Sequence, residues 1–289
     1  MPLVTLKEVL SKAHKENYAV GAFNVENMEM VQAVISAAEE LNSPVIIQTT
    51  SSTLKYAGPE MFYANVSAVA KKSKIPVVMH LDHGSSYEIA EKSFNEGYTS
   101  IMIDGSKLAM EENIELTKRV VELCSGRGVS VEAELGSIGG KEDEHEAENR
   151  YTDAKDAEFF VNATKIDALA IAIGTAHGIY KSKPNIDLNR LEEIRQKVDI
   201  PLVLHGTSGV EDDTVKECIK RGICKVNYAT DLRIAFTKGV KEVLASDVDV
   251  YDPKKYLSRG RDKVKEYVMR KIEVCMSAGK GYSDCEYKK

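Results

Sequence analysis

The sequence lacks the features that mark secreted, membrane-spanning or nucleic-acid-binding proteins. Its first residues hold no basic stretch followed by an apolar one, so we expect no signal peptide. No apolar run approaches the roughly 20 residues of a membrane span. The formal net charge of -6 argues against nucleic acid or an anionic membrane as a partner. The five cysteines include no CxxC pair, which is typical of reduced thiols, and we therefore expect a cytoplasmic protein.

A Pro-, Ser- or Gly-rich linker, a short-period repeat and a GxGxxG fingerprint are also absent. The chain instead alternates short apolar runs with stretches whose apolar residues have helical spacing, such as Asn27–Leu41. The runs are Ala19–Val25, Pro44–Thr50, Pro76–Asp82, Ser100–Gly105, Val129–Gly136, Ala168–Gly174, Pro201–Gly206 and Lys225–Thr230. This strict alternation predicts parallel strands with right-handed crossovers.

Eight such units predict an α/β fold, a single (β/α)8 TIM barrel over residues 1–280 that ends in a C-terminal helical extension. Residues 281–289 are predicted to form a disordered tail. An open doubly wound sheet is the alternative, but the first run ends in FNVEN, without a glycine fingerprint.

Polar side chains follow nearly every predicted strand, and three of the six histidines lie at these ends. They are His83, His177 and His205. Because the carboxyl ends of parallel strands meet at one end of a barrel, we expect the three imidazoles to converge. Three imidazoles with an open fourth position are the ligand set of a catalytic zinc ion. One histidine alone is better interpreted as a hydrogen-bonded structural residue, but the trio favours the metal.

The segment 77–84, VVMHLDHG, carries further polar groups at the end of a strand. Alternation places His80 and Asp82 on one face and His83 on the other for as long as the chain stays extended. His80 is therefore predicted to pack behind the metal site, and Gly84 to begin a turn. No lysine lies at the carboxyl end of a predicted strand, so a Schiff base is not indicated.

The segments after the last three strands predict a phosphate site. AHG at 176–178, HGTSG at 205–209 and NYAT at 227–230 offer backbone N–H groups and hydroxyls. Barrel enzymes often bind phosphate near strands seven and eight, where a helix N-terminus completes the site.

One stretch, Gly139–Arg150, is too long and too charged for an ordinary turn between a strand and a helix. It is either a solvated acidic loop or a lid. As a lid, it would be hinged on Gly139 and Gly140 and would carry a carboxylate into the site.

These motifs together resemble those of the class II, metal-dependent ketose-bisphosphate aldolases, the family of fructose-bisphosphate and tagatose-bisphosphate aldolases. The similar part runs from Val4 to Lys280 and includes YAVGAFNVEN, HLDHGSS, SIMIDGS, VSVEAELGSIGGKED, IAIGTAHGIY and PLVLHGTSG. The resemblance implies reversible cleavage of a ketose 1,6-bisphosphate to dihydroxyacetone phosphate and glyceraldehyde 3-phosphate through a zinc-stabilised enediolate. IGTAHGIY is closer to the tagatose branch and YLSRGRD to the fructose branch, so both epimers remain alternatives.

The resemblance also implies roles for individual residues. The zinc ligands correspond to the three strand-end histidines, with an alternative metal position at Asp104 and Glu134. Asp82 corresponds to the acid/base at the substrate C4 oxygen, and Glu142 to the carboxylate of the mobile loop. The phosphate contacts correspond to Gly178, Gly206, Thr207, Ser208, Asn227, Tyr228, Ala229 and Thr230. A Na⁺ or K⁺ ion near the phosphate is implied as well, and we expect a homodimer or homotetramer.

The far phosphate of a bisphosphate needs a cation of its own. Arg259 and Arg261 are the candidates, with Ser51 and Ser52 as hydroxyl partners, because the guanidinium fork suits phosphate. The alternative is that both arginines lie on a solvated helix start. Because they follow the eighth strand, they could also reach a neighbouring subunit.

Two other functions are compatible with a metal site on a barrel. One is a hydrolase that activates a zinc-bound water, which would not require a phosphosugar. The other is a non-catalytic sugar-phosphate-binding subunit, which predicts the loss of a metal ligand or of Asp82. All of these residues are present, and this favours the aldolase.

Overall fold

The predicted strands form one closed parallel barrel in the computed structural model. The structure describes residues 3–142, 145–147, 150–180 and 184–282. The side chains of 141, 142 and 145–147 are outside this description. The described strands are β1 (Val20–Asn24), β2 (Val45–Thr50), β3 (Val77–Gly84), β4 (Ser100–Ile103), β5 (Ser130–Leu135), β6 (Gly139–Glu142), β7 (His145–Ala147), β8 (Ala168–Ile171), β9 (Ala176–His177), β10 (Leu202–Leu204) and β11 (Ile223–Tyr228). The barrel order is β1-β11-β10-β8-β5-β4-β3-β2. The remaining strands form a small sheet in the order β7-β6-β9. The predicted TIM barrel is confirmed.

Helices connect the barrel strands, and one helix precedes the first strand. The described helices are α1 (Leu6–Glu16), α2 (Met28–Glu40), α3 (Ser51–Ala57), α4 (Pro59–Ala70), α5 (Tyr87–Glu96), α6 (Met110–Ser125), α7 (Ala154–Thr164), α8 (Leu188–Lys197), α9 (Asp212–Lys220), α10 (Thr230–Ser246) and α11 (Pro253–Val274). Short polar side chains accept hydrogen bonds from several first turns, as Asn27 does for α2 and Ser86 for α5. No described helix combines the length and apolar character that a membrane crossing requires.

Helices α10 and α11 form the predicted C-terminal extension and pack along each other. The second half of α11 buries Val264, Val268 and Ile272 and also packs on α2. Most of α10 is not buried. Residues 283–289, which make up most of the predicted tail, lie outside the described part of the chain.

The barrel interior changes from apolar to polar along β1 and β2. At the amino end, Ala22 and Ile46 pack with Leu10 of α1, which closes this end of the barrel. Two residues further along the same strands, Asn24 follows Ala22 and Gln48 follows Ile46. A second apolar layer lies between the strands and the surrounding helices. The fold therefore presents its buried polar groups at the carboxyl end.

Candidate metal and catalytic site

Three imidazoles converge at the carboxyl end of the barrel. His83 ends β3, His177 lies in β9 and His205 directly follows β10. The ring centroids are 5.1 Å apart for His83 and His177, 4.7 Å for His83 and His205, and 6.1 Å for His177 and His205. One nitrogen of each ring lies within 4.8 Å of the others. Three imidazole nitrogens that converge in this way are the donor set of a tetrahedral zinc ion, which binds histidine nitrogen at about 2.0–2.1 Å.

His83 reaches this cluster because the strand does not stay extended. Its φ angle is 46°, in the left-handed region, and the pairing of β3 with β4 shifts register between Leu81 and Gly84. A Cβ atom at Gly84 would lie 2.5 Å from the Met102 carbonyl oxygen, so only glycine fits there. The alternation expected for an extended chain therefore fails at His83, which turns toward the same end as Asp82. Strained backbone of this kind is common at functional sites.

Carboxylates hold the outer nitrogen of two of these rings. His83 Nδ1 lies 2.8 Å from Asp104 Oδ2, and His205 Nε2 lies 2.9 Å from Glu132 Oε1. The remaining nitrogens, His83 Nε2 and His205 Nδ1, are 2.8 Å apart and face the cluster. Burial lowers the pKa of His205 below its ordinary value, although the Glu132 hydrogen bond raises it. Burial thus favours the neutral form of the ring, which is the form that binds a metal.

A second group of possible ligands shares one histidine with the first. His83, Asp104 and Glu134 also bring ligand atoms within 4.8 Å of one another. Burial raises the pKa of Asp104. The hydrogen bond and the electrostatic interaction with His83 lower it and together outweigh burial, so the pKa lies below its ordinary value. The structure thus brings together the residues of the alternative metal position.

Asp82 is buried beside the histidines and held by two amides. Its Oδ2 accepts a hydrogen bond of 2.8 Å from Asn24 Nδ2, and its Oδ1 one of 3.1 Å from Asn227 Nδ2. Asn24 Oδ1 accepts in turn from Gln48 Nε2 at 2.8 Å. Asn24 and Gln48 were not among the predicted site residues. The available signal was an amide at the end of an otherwise apolar run.

The predicted phosphate loops line one pocket next to the metal cluster. Its lining residues are Asn24, His177, Gly178, Gly206, Thr207, Ser208, Asn227, Ala229, Thr230 and Arg233. The backbone of Gly206 has a φ of 63°, and a Cβ atom there would lie 2.7 Å from the Ala176 carbonyl oxygen. The N-terminus of α10, at Thr230, opens into the same pocket. Exposed backbone N–H groups and a helix N-terminus are the groups that anions commonly bind in proteins.

Tyr228 is oriented away from this pocket. Its ring stacks on Phe23 with centroids 5.5 Å apart, and its hydroxyl lies 3.7 Å from Cys275 Sγ. The side chain is buried between β11 and α11. Of the predicted NYAT segment, Asn227, Ala229 and Thr230 line the pocket, whereas the Tyr228 side chain does not.

The structure places a different arginine at the pocket from those predicted. Arg233, one turn into α10, lines the pocket and forms an ion pair of 2.6 Å with Glu26. Arg259 pairs with Glu242 at 3.0 Å, and Arg261 donates to Gln32 at 3.1 Å. Neither of the two lines the pocket within one chain, because both lie on α11.

Ser51 lies at the mouth, where its Oγ donates to the His83 carbonyl oxygen at 3.0 Å. It is the first residue of α3, and its hydroxyl also accepts from the Ser85 backbone N–H. Ser51 therefore contacts the chain that carries a predicted metal ligand.

The described part of the predicted lid pairs with the strand that carries His177. Within 139–150, β6 pairs with β7 in antiparallel fashion and with β9 in parallel fashion, so that Gly140 lies opposite His177. A Cβ atom at Gly140 would lie 2.3 Å from the His177 carbonyl oxygen. The backbone of both predicted hinge glycines is thus paired with the backbone of β9. The Glu142 side chain lies outside the described part of the structure.

A closed parallel barrel with converging imidazoles, carboxylates and a polar pocket at its carboxyl mouth is the architecture of a metal-dependent barrel enzyme. The family model for class II fructose-bisphosphate aldolase matches residues 4–280, and the chain belongs to that family. The predicted resemblance and the prediction of a lyase of the aldolase type are confirmed. The family is generally zinc-dependent, in agreement with the donor set described above.

Solved structures agree with this assignment. The YdjI aldolase of Escherichia coli K12 is 38% identical, with a TM-score of 0.87 over 97% of this chain and 100% of that chain. A provisionally assigned fructose-1,6-bisphosphate aldolase of Coccidioides immitis is 30% identical, with a TM-score of 0.88 over 95% and 97% of the two chains. The fructose-bisphosphate aldolase of Campylobacter jejuni, 24% identical with a TM-score of 0.82 over 96% and 97%, shares the fold.

Proposed function

We propose that this protein reversibly cleaves a ketose 1,6-bisphosphate, fructose or tagatose, into dihydroxyacetone phosphate and glyceraldehyde 3-phosphate. The observation that carries the proposal is that buried Asp82 accepts hydrogen bonds from Asn24 and Asn227, which both line the pocket beside the three-histidine cluster. Asn227 connects these parts, because its amide donates to Asp82 and lies 3.4 Å from His205 Nδ1. An acid/base, a metal site and a phosphate site within one mouth are what an aldol cleavage of a phosphosugar needs.

His83, His177 and His205 would hold the zinc ion. When bound, it would act as a Lewis acid that polarises the substrate carbonyl. Asp104 and Glu134 support an alternative position for the ion, because they form a second ligand group with His83. We include a Na⁺ or K⁺ ion beside the phosphate, where the carbonyl oxygen of Ala176 lies against Gly206.

Asp82 would move the proton at the C4 oxygen. In the cleavage direction it accepts the hydroxyl proton, the C3–C4 bond breaks, and the bonding electrons stay with C3 while C4 becomes an aldehyde. In the synthesis direction it returns the proton to the new alkoxide. The amides of Asn24 and Asn227 hold one carboxylate oxygen each, which fixes the orientation of the acid/base.

A second group must add a proton to C3 to complete dihydroxyacetone phosphate. We assign this to Glu142, because the strand that ends at Glu142 is paired with the strand of His177. In the reverse direction the same carboxylate removes that proton. Two different groups thus handle the two protons.

The two phosphates would bind in different places. The backbone of Gly178 and Gly206 with the hydroxyls of Thr207 and Ser208 suits the phosphate nearest the carbonyl. We assign the far phosphate to Arg233, because this cation lines both that pocket and a second pocket along α10.

Arg259 and Arg261 would contribute only across a subunit boundary. We propose a homodimer or homotetramer, supported by the exposed apolar side chains of α10 and the segment after it, among them Ile234, Val248 and Tyr251. Light scattering after gel filtration would test the oligomer, and a monomer would remove both arginines from the site.

Steady-state cleavage of fructose and tagatose bisphosphates, compared side by side, tests the proposed function. We expect triose phosphate formation from at least one epimer, loss of activity with a chelator and its return with zinc. Release of inorganic phosphate without triose phosphate would identify a hydrolase instead. Activity that survives complete removal of metal would contradict the zinc site.

A further inference from the structure

A chain of polar groups lies inside the barrel beneath the metal cluster. Lys225, in the middle of β11, places its Nζ 2.7 Å from Glu132 Oε2, and Glu132 Oε1 lies 2.9 Å from His205 Nε2. All three side chains are 0% exposed. No role for Lys225 or Glu132 follows from the reaction described above, and both are costly to bury unless paired.

The hydrogen-bonding capacity of each group determines which nitrogens carry a hydrogen in this set of buried polar side chains. An ammonium group only donates, so His80 Nε2, which lies 3.2 Å from Lys225 Nζ, must accept. His80 Nδ1 then carries the hydrogen and donates to Ser100 Oγ at 2.7 Å. Lys225 thus bridges Glu132 and His80, and it holds the carboxylate of Glu132 in one orientation.

The same reasoning reaches the metal ligand. A carboxylate oxygen only accepts, so His205 Nε2 carries its hydrogen and donates to Glu132 Oε1. The lone pair of His205 is therefore at Nδ1, the nitrogen that lies 2.8 Å from His83 Nε2 and faces the cluster. The other tautomer would direct a hydrogen at the metal position.

We propose that Lys225 and Glu132 are positioning residues of the metal site: Lys225 orients Glu132, and Glu132 fixes His205 in the tautomer that offers Nδ1 to the metal. The inference rests on the proposed role of His205 as a zinc ligand. Outer hydrogen-bond partners of ligand histidines commonly change metal affinity by about 10- to 100-fold when removed.

If Lys225 and Glu132 formed only a structural ion pair, their replacement would change stability and not zinc affinity. Replacing a whole buried pair by apolar residues of similar size is often neutral for stability, whereas removing one partner is strongly destabilising. The pair variant Glu132→Leu/Lys225→Met therefore separates the two roles, because it removes the carboxylate without leaving a charge behind. Glu132→Gln/Lys225→Met keeps an acceptor for His205 and serves as the conservative rescue.

Zinc affinity, measured on the full-length protein by competition with a chromogenic chelator, is the readout, with the melting temperature beside it. We expect zinc binding about 10- to 100-fold weaker in the Leu/Met pair and largely restored in the Gln/Met pair. Lys271→Met, at a buried lysine outside the barrel that pairs with Asp212, is the matched control and should bind zinc normally. A folded Leu/Met pair with wild-type zinc affinity would overturn the proposal.

A second measurement reads the tautomer in the wild-type protein, and a variant serves only for assignment. Long-range proton–nitrogen NMR of the metal-free wild-type protein, labelled at histidine and assigned with His205→Asn, reports the tautomer directly. We expect His205 with its hydrogen on Nε2, and a hydrogen on Nδ1 would refute the inference. Neither readout uses aldol cleavage, so a protein that binds zinc in this way but cleaves no ketose would disprove only the proposed function.

Discussion

The two ends of the barrel interior are built from the same strands with opposite chemistry. At the amino end, Ala22 and Ile46 pack with Leu10 of a closing helix in an apolar cluster. At the carboxyl end, Asn24 and Gln48 occupy the next inward positions and form hydrogen bonds. In β1 and β2 the change takes place within two residues. The comparison indicates that one end stabilises the fold and the other carries the chemistry.

The largest expected effect lies at the carboxyl end. Asp82→Asn keeps the size of the side chain but removes the base, and general acid–base groups commonly contribute about 10²- to 10⁴-fold. We expect kcat/KM of the folded variant for the bisphosphate to fall by that factor. Proton exchange at C3 of dihydroxyacetone phosphate should persist in Asp82→Asn and be depressed in Glu142→Gln. The opposite pattern would reverse the two assignments.

A change at the amino end should have the opposite signature. Leu10 is fully buried, and Leu10→Ala leaves a cavity that costs about 2–5 kcal/mol of unfolding free energy. We expect denaturant unfolding to show this loss while kcat/KM of the folded enzyme stays at its wild-type value. Ser11→Ala, at an exposed position of the same helix, is the control. A large loss of activity in folded Leu10→Ala would show that the two ends are not independent.

A smaller effect is expected within the carboxyl end at Arg233, the proposed ligand of the far phosphate. A hydrogen bond to a charged group is worth about 1.5–3 kcal/mol, so Arg233→Ala should lower kcat/KM for the bisphosphate by about ten- to a hundredfold. A ketose 1-phosphate, which lacks the far phosphate, should be cleaved as by the wild type. Arg259→Ala and Arg261→Ala, assayed in parallel, show whether a second chain contributes. Equal losses on both substrates would exclude Arg233 as the far-phosphate ligand.

The smallest expected effect concerns Tyr180, which links two of the phosphate loops. Its hydroxyl accepts a hydrogen bond from the Ala176 N–H and donates one to the Gly206 carbonyl oxygen, both at 2.7 Å. Tyr180→Phe removes these bonds, each worth about 0.5–1.5 kcal/mol, and should raise KM severalfold without loss of bound zinc. Tyr151→Phe, at a half-exposed ring, is the control. An unchanged KM would mean that the loops hold their positions without the link.

The sequence predicted those features that depend on periodicity along the chain. Each of the eight apolar runs overlaps a barrel strand, and the residues that end the runs meet at one mouth because the strands are parallel. His83, His177 and His205 could be predicted for that reason, although they are far apart in the chain. Asp82 and the phosphate loops followed from the same rule.

Features that depend on closure of the barrel could not be predicted. Lys225 lies within a run and meets Glu132 only because β5 and β11 face each other across the interior. The φ angle of His83 is a property of one turn and leaves no periodic trace. Arg233 was missed because a cation in the first turn of a helix is usually solvated, whereas here the helix begins at the mouth.

The pairing of β6 with β9 limits how the hairpin can vary in length. Gly139 and Gly140 are fixed in register against Ala176 and His177. An insertion of one residue between Gly140 and Glu142 would turn the carboxylate to the other face of the strand, because side chains alternate along it. Insertions beyond Glu142 leave that register untouched. The number of residues from the paired glycines to Glu142 is therefore constrained, because any change there would move this carboxylate relative to His177.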